Sequence, residues 1–234
     1  MSLAAEPLGL DLGPSVKSVG FALGDYDAVI AELASLAAPG LSERAVPKRR
    51  AEFLAGRFAA GQALALLGVA GMPGRNDDGS PRWPEPVIGS ITHGAGRAIC
   101  AVAFSSQLRG LGIDAERLMN ETAKDELFAR ICSREERALL ARSFSSPEPH
   151  WVTFAFSAKE SLYKCLYPLV GQFMDFSAAR VVAAVAEPRG SGVAGELTLE
   201  LSVDWSPEFV RGRRLGARFV ASEDHVESAV LLSV

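Results

Sequence analysis

Histidine and cysteine are scarce, with three of each in 234 residues. His93, His150 and His225 stand far apart, so a histidine-rich metal site is excluded. Cys100, Cys132 and Cys165 are odd in number and form no CxxC pair, which excludes a disulfide framework and a zinc knuckle. A reducing cytoplasm is the expected compartment. No run approaches the roughly 18 apolar residues of a membrane span. The stretch MSLAAEPLGLDLGPSV has no charged segment followed by an apolar one, so no export signal is expected. A formal charge of -4 argues against a protein that coats nucleic acid. The chain has no GxxxxGK[ST] and no GxGxxG opening a helix after a strand, and GSITHG is not a GxSxG elbow. P-loop, dinucleotide-fold and serine-hydrolase chemistry therefore lack their motifs.

What is present is enough apolar residue, 48% of the chain, for one large domain or two half-sized ones. Asp25 caps an expected helix over Ala28 to Ala37, stopped by Pro39-Gly40. A longer helix is expected from Pro47 to Leu67, with Phe53, Leu54, Phe58, Leu64 and Leu67 as its apolar face. Arg50 and Arg57, seven apart, share one side of it; taken alone, they read as solvated arginines. GVAGMPGRNDDGSPRWPEP reads as a loop that carries Arg75, Arg82 and Trp83, residue types that bind anions and flat rings. VIGSITH and AICAVAF read as a hairpin about Gly94-Ala95-Gly96. Helices are expected over Ala123 to Arg142, broken by a capping box at Ser133 and Glu136, and from Trp151 to Leu166. Strands follow at Ala178 to Ala186, Glu196 to Val203, Leu215 to Ala221 and Val226 to Ser233, with EPRGSGVAG as a turn. Helices then strands, twice over, predict an α+β protein of two similar lobes, 1–112 and 113–234, each a small antiparallel sheet packed with helices.

The chemistry is carried by acids. In LGIDAE, strand alternation puts Asp114 and Glu116 on one face, where two carboxylates repel unless a cation lies between them. Without such a cation the pair is the exposed end of a strand. In FSAKESLYK, Ser157 and Glu160 have capping-box spacing, which would make Glu160 structural. Yet Val152, Phe156, Tyr163 and Tyr167 continue a helical pattern on both sides of Ser157, which favours an interior position. Glu160 and Lys164 then lie one turn apart on one helical face. Hard oxygen ligands such as these three acids suit Mg2+, which keeps waters and completes its shell with substrate phosphates.

The series (G)SPRWP, SITH, LGIDAE and FSAKESLYK, in this order, resembles the motif series of the Sfp-type 4'-phosphopantetheinyl transferases, in the subgroup like the enterobactin-synthetase component D enzymes. The match spans Arg49 to Lys164. The resemblance implies two pseudo-twofold lobes with coenzyme A in the cleft between them. It further implies Mg2+-dependent transfer of 4'-phosphopantetheine to a serine of an apo acyl or peptidyl carrier protein, with release of adenosine 3',5'-bisphosphate.

By position, the resemblance makes Asp114, Glu116 and Glu160 the metal ligands, with Glu160, Lys164 and Asp114 as the catalytic set. Coenzyme contacts fall to Arg49, Arg57, Arg75, Ser80, Ser90, Thr92 and His93, along with Asp114, Glu160 and Lys164. Ser80 stands where several relatives have a lysine, and Arg75 or Arg82 is expected to supply that charge. Lys159 is expected to meet phosphate or an acidic partner surface. The serine proton goes to Glu160 or to a water on the metal. A chain that builds its own cleft is expected to be a monomer. Fatty acid, polyketide, nonribosomal peptide and siderophore carriers all remain open. The alternatives are a non-catalytic module that binds coenzyme A or carrier protein, and a metal-dependent phosphohydrolase acting on coenzyme A.

Overall fold

In the structure, a computed structural model, residues 3–36, 44–120, 122 and 125–234 are described. The expected stop at Pro39-Gly40 and the expected helix start at Ala123 lie outside them. The chain divides into two units: one runs to Leu111 and takes in Leu232–Val234, and the other is Gly112–Leu231.

The first unit contains β1 (Leu3–Ala5), β2 (Lys17–Leu23), α1 (Tyr26–Glu32), α2 (Pro47–Leu66), β3 (Gly74–Arg75), β4 (Pro81–Arg82), β5 (Val87–Gly94) and β6 (Arg97–Phe104). An antiparallel sheet in the order β1-β2-β6-β5 forms its floor. Strand β6 is central, and so its side chains are buried up to Phe104. The β5–β6 turn pairs Gly94 with Arg97 and holds Ala95 and Gly96 at φ 53° and 74°. Positive φ at both central residues is what a tight hairpin needs to match the strands' twist.

Helix α1 starts as expected, with Asp25 Oδ1 accepting from the Asp27 and Ala28 amides. Helix α2 packs differently from the expected stripe. Its buried positions are mainly Ala51, Leu54, Ala55, Ala59, Ala60, Ala63 and Leu64, while Phe53 and Phe58 are only half buried. Small residues let the helix backbone approach the sheet, and a Cβ added at Gly56 would come within 2.9 Å of Ile91 Cγ2. Strands β1 and β2 were not anticipated, since KSVGFAL is short and its burial alternates only weakly.

The second unit holds a five-stranded antiparallel sheet in the order β7-β11-β10-β9-β8, built from β7 (Leu108–Arg117), β8 (Ala179–Arg189), β9 (Gly192–Leu201), β10 (Arg214–Ala221) and β11 (His225–Ser233). Its helices are α3 (Asp125–Ile131), α4 (Arg134–Ser143) and α5 (Glu148–Val170). The division between units falls inside β7. Strands β8 and β9 run through most of the expected EPRGSGVAG turn, leaving Gly190 and Ser191 as its tip. Phe154 of α5 stacks on Phe219 of β10 with centroids 5.2 Å apart, pinning the helix to the sheet.

The capping box is present: Glu136 N donates to Ser133 Oγ at 3.2 Å, and Ser133 N donates to Glu136 Oε2 at 2.8 Å. Glu136 Oε1 also accepts from Val181 N at 2.8 Å and pairs with Lys159 Nζ at 2.7 Å. Lys159 further donates to the Ile131 carbonyl at 2.7 Å and the Phe176 carbonyl at 3.1 Å. This overturns the expectation that Lys159 meets phosphate or an acidic partner surface. It is 4% exposed and ties α5 to α4 and to the ends of neighbouring segments. Each unit is a small antiparallel sheet packed with helices, an α+β build.

Candidate functional site

Because α5 begins at Glu148, Ser157 lies well inside it and caps nothing. Its hydroxyl instead meets Ser228 Oγ of β11 at 2.8 Å, and Ser161 Oγ meets the same atom at 2.8 Å. These two buried serines fix the rotation of α5 on the sheet. Glu160, three residues after Ser157, is thereby released from any capping duty.

Strand β7 runs hard against α5. A Cβ on Gly112 would stand 2.0 Å from the Ser161 carbonyl and 2.6 Å from the Cys165 amide, so only glycine admits the contact. Two residues on, Asp114 projects from the same face as Gly112 and is 2% exposed. The reading of LGIDAE as an exposed strand end fails for Asp114. Its Oδ1 accepts from Lys164 Nζ at 2.6 Å, a charge-assisted contact across 50 residues of sequence.

Glu160 shares this setting. Burial raises its pKa above the ordinary glutamate range; the Lys164 ammonium pulls it down, and the Asp114 carboxylate pushes it up again. The structure thus brings Asp114, Glu160 and Lys164 into one electrostatic neighbourhood. Glu116 is half buried on the Asp114 face of β7, about 7 Å further along by strand geometry.

Among the described residues, no three His, Cys, Asp or Glu side chains are gathered closely enough to form a ready metal cage. Mg2+ does not require one, since it is commonly held by one or two carboxylates with waters and substrate phosphates. The donor chemistry fits: two nearby acids are partly removed from water, and one carries a raised pKa that a cation would relieve.

The first unit carries a basic set. His93 of β5 faces α2, where Arg49 Nη1 stands 2.7 Å from its Nε2 and Glu52 Oε2 stands 3.8 Å from its Nδ1. Arginine has no acceptor, so Nε2 presents its lone pair and the ring hydrogen belongs on Nδ1. Alternation along β5 places Ser90 and Thr92 on the opposite face from His93, and both are buried.

Arg57 is 5% exposed, so it is no solvated arginine. Its Nη1 donates to the Pro73 carbonyl, and to the Gly74 carbonyl at 2.8 Å. Its pKa is lowered by burial first and by the charge of Arg75 second.

Arg57 also fixes the start of the β3–β4 hairpin, in which Arg75 pairs with Pro81. Ser80 is engaged inside that hairpin, its amide and hydroxyl both donating to Asp78 Oδ1 at 2.8 and 2.7 Å. Trp83 packs with the α2 alanines and over Gly89, where a Cβ would come within 2.7 Å of the indole. It is half buried against that cluster.

Sequence reasoning passed over Glu52. The available signal was its place three residues after Arg49 on α2, which shares that arginine's side of the helix. A cavity of about 490 Å3 in the second unit, lined by residues such as Ser146, His150, Phe154 and Glu187, includes none of the candidate residues. Among the described residues no helix is long and apolar enough to cross a membrane.

Comparison with known proteins agrees with the motif series. Residues 37–103 match the family model described as the 4'-phosphopantetheinyl transferase N-terminal domain, and residues 110–206 match that of the 4'-phosphopantetheinyl transferase superfamily. The chain is 39% identical over 197 residues to 4'-phosphopantetheinyl transferase Svp of Streptomyces mobaraensis, covering 81% of this chain and 75% of that protein. It is 34% identical over 167 residues to 4'-phosphopantetheinyl transferase PptT of Mycobacterium tuberculosis, covering 71% of each. Enterobactin synthase component D of Salmonella typhimurium is 42% identical over 139 residues, which is 59% of this chain and 57% of that protein.

Proposed function

The chain belongs to the 4'-phosphopantetheinyl transferase superfamily, and from that membership we propose that it moves 4'-phosphopantetheine from coenzyme A to a serine of an apo acyl or peptidyl carrier protein. The reaction depends on Mg2+ and releases adenosine 3',5'-bisphosphate. The serine oxygen bonds to the phosphorus on the pantetheine side of the pyrophosphate, and the bridging bond to the nucleotide phosphate breaks.

The observation that carries this reading is the grouping of Asp114, Glu160 and Lys164, with a 2.6 Å contact between Lys164 and Asp114 and a Glu160 that responds to both charges. Asp114, Glu116 and Glu160 would hold Mg2+, which supplies positive charge to the pyrophosphate oxygens as the bond breaks. Lys164 exchanges its contact with Asp114 for the leaving phosphate and offsets the charge that develops there. The serine proton passes to Glu160 or to a water on the metal.

Arg49, Arg75 and His93 take the 3'-phosphate end of the coenzyme, and Arg57 serves by holding the loop that presents Arg75. Ser80 acts through its hairpin, and Ser90 and Thr92 through the strand that carries His93. The two units correspond to the family's two lobes. The working form is a monomer in a reducing cytoplasm, in keeping with three buried free thiols.

The test is to incubate the protein with coenzyme A, Mg2+ and a panel of apo carriers from fatty acid, polyketide, nonribosomal peptide and siderophore assembly. A mass gain of one phosphopantetheine arm on the carrier is expected. No gain on any carrier, with coenzyme bound tightly whether or not metal is present, would favour a binding module. Breakdown of coenzyme A without an acceptor would favour a hydrolase.

A further inference from the structure

Glu52 has no part in the coenzyme contacts above, and a carboxylate beside an anion site works against binding unless something turns its charge to use. It is 9% exposed on α2, with Oε1 3.9 Å from Lys48 Nζ and Oε2 3.8 Å from His93 Nδ1. The opposite edge of the same imidazole meets Arg49 at 2.7 Å. The cross-strand partner of His93 is Ala98, which brings no charge, so the charged groups that α2 turns toward the ring are Arg49 and Glu52, with Lys48 behind Glu52.

This arrangement poses a problem for a phosphate. With the ring neutral, Nε2 offers only a lone pair, which suits an arginine and repels a phosphate oxygen, also an acceptor. As long as Nδ1 keeps its hydrogen toward the Glu52 carboxylate, a phosphate meets a donor at Nε2 only when the ring carries hydrogens on both nitrogens. The Nδ1 hydrogen then points toward the Glu52 carboxylate, which stabilises the cation.

We propose that Glu52 is a positioning residue: it orients His93 and holds it as imidazolium when the 3'-phosphate of coenzyme A is bound, so that selection of the 3'-phosphorylated coenzyme depends on this acid. The proton enters at Nε2 from the phosphate monoanion or from water, and Arg49 turns from the ring to the phosphate. The inference rests on the reading of Arg49 and His93 as contacts to that phosphate.

The experiment is calorimetric binding of adenosine 3',5'-bisphosphate and adenosine 5'-monophosphate, without metal or carrier, to the unaltered protein and to Glu52→Gln, Glu52→Asp, His93→Ala and the Glu52→Gln/His93→Ala double variant. Glu52→Gln is expected to weaken the bisphosphate roughly tenfold and leave the monophosphate unchanged, the scale of removing a partly buried opposite charge from beside the imidazolium. Glu52→Asp recovers part of the loss, and the double variant binds no worse than His93→Ala. A role confined to packing would shift both nucleotides and the melting temperature together. If the unaltered protein prefers the bisphosphate and Glu52→Gln binds it as tightly or more tightly, Glu52 is only a like charge near the site and the inference is overturned. If the unaltered protein shows no preference, the phosphate reading of Arg49 and His93 fails and takes the inference with it.

Discussion

Lys164 Nζ rests 2.6 Å from Asp114 Oδ1, joining the helix of one motif to the strand of another. Asp114 is 2% exposed, and Lys164 keeps about a quarter of its side chain in water. The buried acid is thus paired with an ammonium that water reaches. Asp114→Asn is expected to lower kcat at least a hundredfold, the scale for losing a preorganised charge, with far-UV circular dichroism unchanged. Lys164→Ala should reduce kcat more than the affinity for coenzyme A. A change confined to affinity would remove Lys164 from the leaving-group role.

Glu160 stands next in line on α5, and its stability effect has a definite sign. Its pKa is raised, chiefly by burial, so the protonated form favours folding below the ordinary glutamate range, and that advantage is lost as pH rises through the raised value. At pH 8 without divalent cation, Glu160→Gln should melt higher than the unaltered protein; at pH 4 the difference should shrink. The same variant should be inactive in transfer. A lower melting temperature at pH 8 would show that the carboxylate is structural.

Lys159, the immediate neighbour of Glu160, should behave in the opposite way. Removing one partner of a buried ion pair leaves the other charge stranded, at a cost of about 3–5 kcal/mol. Lys159→Ala should therefore shift the urea midpoint strongly downward, and by more than Lys164→Ala, whose ammonium lies about a quarter in water. Equal, small shifts for both would contradict the buried pairing with Glu136.

The thiols offer a test of packing in both units. Burial pushes Cys132 up to about 12, and Cys100 higher still. Native protein at pH 8 should leave a thiol-specific chromogenic reagent nearly colourless, and urea should release three equivalents. Fast reaction of even one thiol in the folded state would show an opening that the structure does not contain.

Local patterns were legible in the sequence, and distant pairings were not. The capping box at Ser133 and Glu136, the Asp25 cap and the long helix through Ser157 each follow from spacing within a few residues, and all are present. The Asp114 to Glu116 alternation likewise placed both acids on one strand face. By contrast, Lys159 reads locally as a cation for phosphate or an acidic partner surface, because Glu136, Ile131 and Phe176 reach it only through the fold. Arg57 was misjudged for the same reason, since the carbonyls of Pro73 and Gly74 lie 16 and 17 residues away. The α2 face was misjudged for a different one: aromatic residues dominate a hydrophobic pattern, while alanines decide how closely a helix can approach a sheet.

The acids of β7 and α5 are expected to hold one divalent cation together with the coenzyme's pyrophosphate. Mn2+, which takes the same oxygen ligands and is visible by electron paramagnetic resonance, measures this directly. With coenzyme A present, the unaltered protein should take up one Mn2+ per chain, while Asp114→Asn and Glu160→Gln should bind it far more weakly. If both variants bound Mn2+ as tightly as the unaltered protein, the cation would lie elsewhere and the account would be contradicted.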